Sequence, residues 1–180
     1  MDFIFEKNIS LNEKVCKSII STFDQPTTIK YECRETNELK LNVKDEKWRI
    51  YDTILYNEIG KVIKEYIIYL DNKSDIFNLD EYNIRDNGFL IQKYNKNKGY
   101  CEYHNDSYNE TKDCIRVLTY IWFLNTTTTG GEIEFWNGKY KIKPEIGKII
   151  IFPSTWTYSY KQNYSPNDKY IIIGGIYKNI

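Results

Sequence analysis

His104 and Asp106 are the residues of this chain whose types and spacing suggest chemistry. His104 is the only histidine, and it closes the stretch GFLIQKYNKNKGYCEYHND at residues 88–106 together with that aspartate. On an extended segment, side chains two apart leave the same face. An imidazole nitrogen and a carboxylate oxygen therefore converge on one point. They are two members of a facial metal triad, and the rest of the chain must be read for the third.

The elements that position this pair belong to a chain of 180 residues, a length that favours one domain, 1–180. Hydrophobic residues make up 41% and charged residues 28%, which argues for a packed core and against disorder. The 25 basic residues balance the 25 acidic ones, so no nucleic-acid partner held by a broad basic field is expected. Aromatics reach 16%, mostly tyrosine, which suits strands and pocket walls alike. The cysteines at 16, 33, 101 and 114 form no Cys-x-x-Cys pair. They read as free thiols of a reducing, cytoplasmic compartment rather than as a zinc site. The start, MDFIFEKNIS, lacks the basic and apolar regions of a signal peptide. No apolar run approaches the ~18 residues of a membrane span.

Residues 2–6 read as a short edge strand. Val15, Ile19, Ile20 and Phe23 recur at helical spacing, predicting a helix over Asn12–Phe23 with Asn12 or Ser10 as cap and Gln25-Pro26 as stop. Residues 28–46 are polar and irregular, with a strand at Thr28–Cys33. The clearest helix spans Trp48–Leu70, with an apolar stripe of Ile50, Ile54, Leu55, Ile59, Val62, Ile63, Tyr66, Ile67 and Leu70. Gly60 weakens it by roughly 1 kcal/mol against alanine. Asn72–Asp75 reads as a loop.

From Tyr82 the texture changes to strand-like runs between turn signals. The runs are Tyr82–Arg85, Phe89–Tyr94, Ile115–Leu124, Glu132–Trp136, Lys139–Ile142, Gly147–Phe152, Trp156–Tyr160 and Tyr170–Tyr177. Asn137-Gly138 is the signature of a two-residue type I′ hairpin. Gly130-Gly131 predicts a turn with positive φ, beside which Glu132 has no catalytic role. Short antiparallel strands at this spacing imply a sandwich or jelly roll. Helices in the first half and strands in the second make the class α+β.

Several of these stretches, taken in order, carry a resemblance. Tyr94, Gly99–Asp106, Arg116–Thr119, Gly130–Glu132, Pro144–Pro153 and Trp156–Tyr170 follow one another as in the prolyl 4-hydroxylase-like oxygenases, which use Fe(II) and 2-oxoglutarate. The resemblance implies a double-stranded β-helix, or cupin-like jelly-roll, core over 80–177 with supporting helices over 1–75. It implies His104 and Asp106 as metal ligands and Lys169 as the base that pairs with the far carboxylate of 2-oxoglutarate. Tyr94 would line the cosubstrate pocket and donate a hydrogen bond, and Thr119 would do the same from the facing strand. Iron and 2-oxoglutarate are the implied cofactors, with ascorbate as an accessory reductant. The implied substrate is a prolyl peptide, another protein side chain or a small molecule. No membrane partner is expected, and oligomeric state is unreadable.

The chain departs from the pattern at the third ligand. In Phe152-Pro153-Ser154-Thr155-Trp156-Thr157-Tyr158-Ser159-Tyr160 the family's distal histidine falls on Tyr160. Tyr158, two residues earlier on an expected strand, is a second phenol that could face the site. A phenol with a pKa near 10 is a poor ligand at neutral pH unless a metal drives off its proton. Three outcomes stay open: an active enzyme using His104, Asp106 and a tyrosine or water; a metal-binding protein that turns over poorly; and a metal-free pseudoenzyme that uses the barrel as a binding module. The Ile, Asn, Lys and Tyr bias points to an AT-rich genome, and the resemblance implies a viral or phage source, since relatives of this type occur there. Substrate choice would lie in the loops Asn95–Lys98 and Ser107–Asp113.

Overall fold

A computed structural model describes residues 3–26, 31–33, 36–41, 44–72, 84–107, 109–111 and 113–179. Residues 28–30 of the expected Thr28–Cys33 strand, 73–75 of the expected loop and 82–83 of the expected Tyr82–Arg85 strand lie outside this description.

Among the described residues two α-helices form where apolar residues recur at helical spacing. Helix α1, Glu13–Asp24, is capped by Asn12, whose side chain accepts from Lys14 N at 2.8 Å. It buries Cys16, Ile19 and Phe23. Helix α2, Glu46–Asp71, begins two residues ahead of the expected start, because Asp45 caps it through Lys47 N at 3.2 Å. Leu55, Ile59, Val62, Ile63, Tyr66 and Leu70 are buried as the stripe requires. Ile50 is not, at 62% exposed. The first turn is seated by Trp48, which is 2% exposed. A residue two positions further on lies about 200° around the helix, so burying Trp48 turns Ile50 to solvent.

Among the described residues thirteen strands build two sheets. They are β1 (Phe5–Lys7), β2 (Tyr31–Cys33), β3 (Thr36–Lys40), β4 (Ile84–Asp86), β5 (Leu90–Tyr94), β6 (Cys101–His104), β7 (Asn109–Thr111), β8 (Cys114–Phe123), β9 (Ile133–Phe135), β10 (Tyr140–Ile142), β11 (Ile149–Pro153), β12 (Tyr160–Gln162) and β13 (Lys169–Asn179). The large sheet runs β1-β11-β8-β13-β5-β3-β2, with β4 on β13 and β7 on β8. The small sheet runs β10-β9-β12-β6. The first strand sits at an edge as expected, with Phe5 opposite Ile151, but it covers Phe5–Lys7 rather than the expected residues 2–6, of which residue 2 lies outside the description.

The central strands β8, β11 and β13 of the large sheet are buried on both faces, so they read as nearly continuous apolar runs. Tyr120, Trp122, Ile149, Ile151 and Ile172 face the helices and join Phe23, Leu55 and Tyr66 in one core. The alternate residues Ile121, Phe123, Ile150, Phe152 and Ile171 face the small sheet and join Ile133, Phe135 and Tyr160 in a second. Each fully buried large side chain contributes about 1.5–3 kcal/mol of transfer free energy. The functional side chains line the gap between the sheets. The architecture is the antiparallel double-stranded β-helix with N-terminal helices that the sequence implied.

Two turn expectations are corrected. The expected strand over Trp156–Tyr160 is a 3-10 turn at Trp156–Tyr158, followed by β12. Between β9 and β10 the hairpin forms, but its register closes at Phe135–Tyr140 and leaves a four-residue loop. Trp136, Asn137 and Gly138 are all left-handed there, at φ 51°, 53° and 83°, so the reversal is longer than type I′. The Gly130-Gly131 turn does take positive φ, at 67° and 76°. A Cβ at Gly130 would meet Tyr164 O at 2.3 Å.

Candidate functional site

The small sheet delivers the first side chains. β6 ends on His104, and β12 opens on Tyr160, which lies opposite His104 in register. The two rings pack at 4.4 Å between centroids. His104 Nδ1 lies 2.8 Å from Glu102 O, and Cys101 Sγ lies 3.5 Å away. The carbonyl contact assigns the proton to Nδ1, which leaves Nε2 as the lone-pair atom. Nε2 stands 3.8 Å from Asp106 Oδ1. The same-face geometry read from the spacing is therefore present.

Asp106 is 8% exposed and its second oxygen is crowded with donors. Oδ2 accepts from Thr119 Oγ1 at 2.9 Å and from Tyr160 OH at 3.1 Å, with Arg116 Nη2 at 3.4 Å. Thr119 has one hydroxyl proton and gives it to Asp106, so Ser154, at 2.7 Å, donates to Thr119. Thr119 thus buttresses the carboxylate, and the hydroxyl proton expected to serve the cosubstrate pocket is given to Asp106 here. Burial first, then the Asp106 charge, holds the Tyr160 phenol well above its ordinary pKa. It is a neutral hydrogen-bond donor to Asp106. Tyr158 is not its rival: it sits in the 3-10 turn, and its OH accepts from Phe3 N at 3.2 Å.

Arg116 reaches this cluster by a bulge. Ile176 faces Leu118 and Tyr177 faces Arg116, so Val117 is the extra residue in β8. In an unbroken strand Arg116 would share a face with Leu118 and Tyr120, toward the helices. The bulge turns it to the inside of the barrel. Its Nη2 also donates to Gly174 O at 2.7 Å. A Cβ on Gly175 would stand 2.4 Å from Arg116 Nε, so the guanidinium lies against bare backbone.

Lys169 and Tyr94 form a second cluster, opposite each other where β13 and β5 pair. Lys169 is 0% exposed. Its Nζ donates to Gln162 Oε1 at 2.8 Å and Gly131 O at 3.1 Å, and lies 4.4 Å from the centre of the Tyr94 ring. Burial lowers its pKa to about 7. Tyr94 OH donates to Gln92 Oε1 at 3.2 Å.

A cavity of about 320 Å³ opens between the sheets, lined by His104, Asp106, Arg116, Tyr160, Gln162 and Gly174 among others. Gln162 lines it and hydrogen-bonds Lys169, which does not line it. Among the described residues no group of three or more His, Cys, Asp and Glu gathers. His104 Nε2 and Asp106 Oδ1 are donors of the kind a divalent cation takes, and the outward-held Nδ1 and the donor-laden Oδ2 leave those two atoms available. The donor set fits a cation with two protein ligands and a neutral phenol beside them.

The sequence singled out His104, Asp106, Tyr160 and Thr119, and the fold brings these four together. It missed the roles of Arg116, Ser154 and Gln162. Arg116 carried a signal, as the one charge in the apolar run CIRVLTYIWF. Ser154 and Gln162 carried none.

Residues 89–176 match the family model of the 2OG-Fe(II) oxygenase superfamily. No curated protein sequence matches the chain. Among solved structures it is similar to a viral collagen prolyl hydroxylase of Paramecium Bursaria Chlorella virus-1 in complex with 2OG, at 18% identity and TM-score 0.69, covering 98% of this chain and 96% of that one. It is similar to a Pseudomonas putida prolyl-4-hydroxylase, at 12% identity and TM-score 0.68, covering 98% and 92%. A Trichoplax adhaerens prolyl hydroxylase bound to a hypoxia inducible factor peptide fragment matches at 14% identity and TM-score 0.66, covering 99% and 84%. These likenesses establish a shared fold.

Proposed function

From the likeness of residues 89–176 to the 2OG-Fe(II) oxygenase superfamily, we propose that this protein is a 2-oxoglutarate- and Fe(II)-dependent oxygenase of the prolyl 4-hydroxylase type. Its substrate is a prolyl or other side chain of a peptide, or a small molecule. The observation that carries this reading is the facing of His104 Nε2 and Asp106 Oδ1 at 3.8 Å, inside this fold. His104 and Asp106 would hold the iron. Lys169 would take the far carboxylate of 2-oxoglutarate, with Tyr94 beside it. Bound together, iron, 2-oxoglutarate and O2 supply the oxidising power that inserts one oxygen atom into a C–H bond while 2-oxoglutarate becomes succinate and CO2.

The chain's own residues orient and shield. The Glu102 carbonyl fixes the imidazole tautomer. Thr119 and Arg116 pin one oxygen of Asp106 and turn the other toward the imidazole. Phe135 and Phe152 pack on Tyr160 and keep water from that side. Free thiols at Cys16, Cys101 and Cys114 support a reducing intracellular setting, and the residue bias fits an AT-rich genome.

One observation favours a second reading, a pseudoenzyme that uses the barrel to bind. Tyr160 donates to Asp106, and Arg116 supplies it a positive charge, so the carboxylate is already satisfied without a cation. Decarboxylation of 2-oxoglutarate, measured with and without Fe(II), separates the two. The oxygenase reading expects iron-dependent turnover that falls on the order of 100-fold or more in His104→Ala. Full activity in that variant rules it out. An inert wild type whose Tyr160→His variant gains iron binding favours the pseudoenzyme.

A further inference from the structure

Lys169 is an ammonium group taken wholly out of water, with neutral partners around it. Its two hydrogen bonds go to amide oxygens, Gln162 Oε1 at 2.8 Å and Gly131 O at 3.1 Å. The Tyr94 ring covers a third side. Among the described residues no carboxylate lies within ion-pair distance of Nζ. A charge buried in this way normally pairs with an opposite charge.

The two acceptors differ in their freedom. Gly131 O belongs to a left-handed turn at φ 76°, tied down by Gly131 N donating to Tyr164 O at 2.6 Å. Gln162 reaches Lys169 through a flexible side chain, and it lines the cavity of about 320 Å³, so it has somewhere to go. Its terminus is a planar carbon bearing an oxygen, the shape of half a carboxylate. It already occupies the hydrogen-bonding direction that an incoming carboxylate would need.

We infer that Gln162 is an internal surrogate for the far carboxylate of the cosubstrate, and that it sets the affinity for dicarboxylates by competing with them for Lys169. The inference rests on the reading that Lys169 takes that carboxylate. A dicarboxylate entering from the cavity displaces the amide and replaces a neutral acceptor with an anionic one, which gives the stronger, charge-assisted bond. The lost amide contact subtracts from that gain. Gln162 is therefore a specificity-determining residue and touches no reacting atom.

Calorimetric titration of the whole chain with 2-oxoglutarate, in saturating Mn(II), tests this by opposed variants. Gln162→Val removes the competing acceptor and suits a strand, so affinity rises about tenfold or more. Gln162→Glu keeps the shape but offers Lys169 a permanent carboxylate, so binding is lost. Thermal unfolding checks that each variant folds, and Gln162→Ala serves where valine is not tolerated. A merely structural role for Gln162 would weaken binding in both variants and overturns the inference. Lys169→Met isolates the premise. If it abolishes binding while Gln162→Val binds no tighter than wild type, the surrogate falls and the cosubstrate reading stands. If 2-oxoglutarate binds none of these proteins, or binds equally without Lys169, both fall.

Discussion

Lys169 shows at the scale of one residue how burial trades stability for readiness. Its folded pKa of about 7 lies far below the ordinary 10.5, and burial is the cause. The folded chain releases this proton near neutrality, whereas the unfolded chain keeps it to high pH. Between those values the unfolded state binds more protons, so this group makes stability rise with pH. Below pH 7 both states are charged and the whole penalty is present. Lys169→Met is therefore expected to stabilise the fold at pH 6, by at most about 5 kcal/mol, with a gap that narrows toward pH 10. Denaturant unfolding across that range measures it, and a gap indifferent to pH would mean that the ammonium is hydrated in the fold. His104 and Asp106 were legible because two-residue periodicity survives any packing of an extended segment. The partner of Lys169 was not, since Gln162 lies seven residues away on another strand and looks like any surface amide.

Elements had to be bent or tied to aim these side chains. The bulge at Val117 brings Arg116 inside, and nothing in the local sequence marks it. Across the small sheet, Glu134 on β9 is the tie. It accepts from Tyr103 of β6 at 2.7 Å and Asn163 at 3.1 Å, and meets Lys141 of β10 at 3.1 Å and Lys161 of β12 at 3.2 Å. The Tyr103 hydrogen bond, with those from Asn163 and the lysines, outweighs burial and draws its pKa down to about 2. A carboxylate depressed in the fold stabilises above pH 4.5 and loses that contribution as pH falls toward 2. Glu134→Gln should cost about 1–2 kcal/mol at pH 7, and the two proteins should converge in stability only as pH falls to about 2. An equal difference at both pH values would place the effect in packing. The run Trp156–Tyr160 read as a strand because its aromatics favour one, yet a 3-10 turn forms there and only Tyr160 enters the sheet. That turn is what separates Tyr158 from Tyr160.

The whole molecule stands on two apolar cores that share the large sheet. His104 is held by sheet pairing, and Asp106 has its own hydrogen-bonding partners, so among the described residues these two segments stay together without a cation. Stripping metal with a chelator is expected to move the melting temperature by less than about 2 °C, in contrast to folds built around a structural metal. Differential scanning calorimetry before and after chelation decides it, and a large fall would show that a cation ties the sheets.

Taken alone, the amino-acid sequence determined the helices, the antiparallel class and the same-face pairing of a histidine with an aspartate. These depend on periodicities of 3.6 and 2, which are written locally in residue types. Only the tertiary structure decided which phenol meets Asp106, that Arg116 turns inward and that Lys169 lies behind an amide. Those facts depend on registers and a bulge between strands far apart in the chain, where a one-residue shift reverses every side chain.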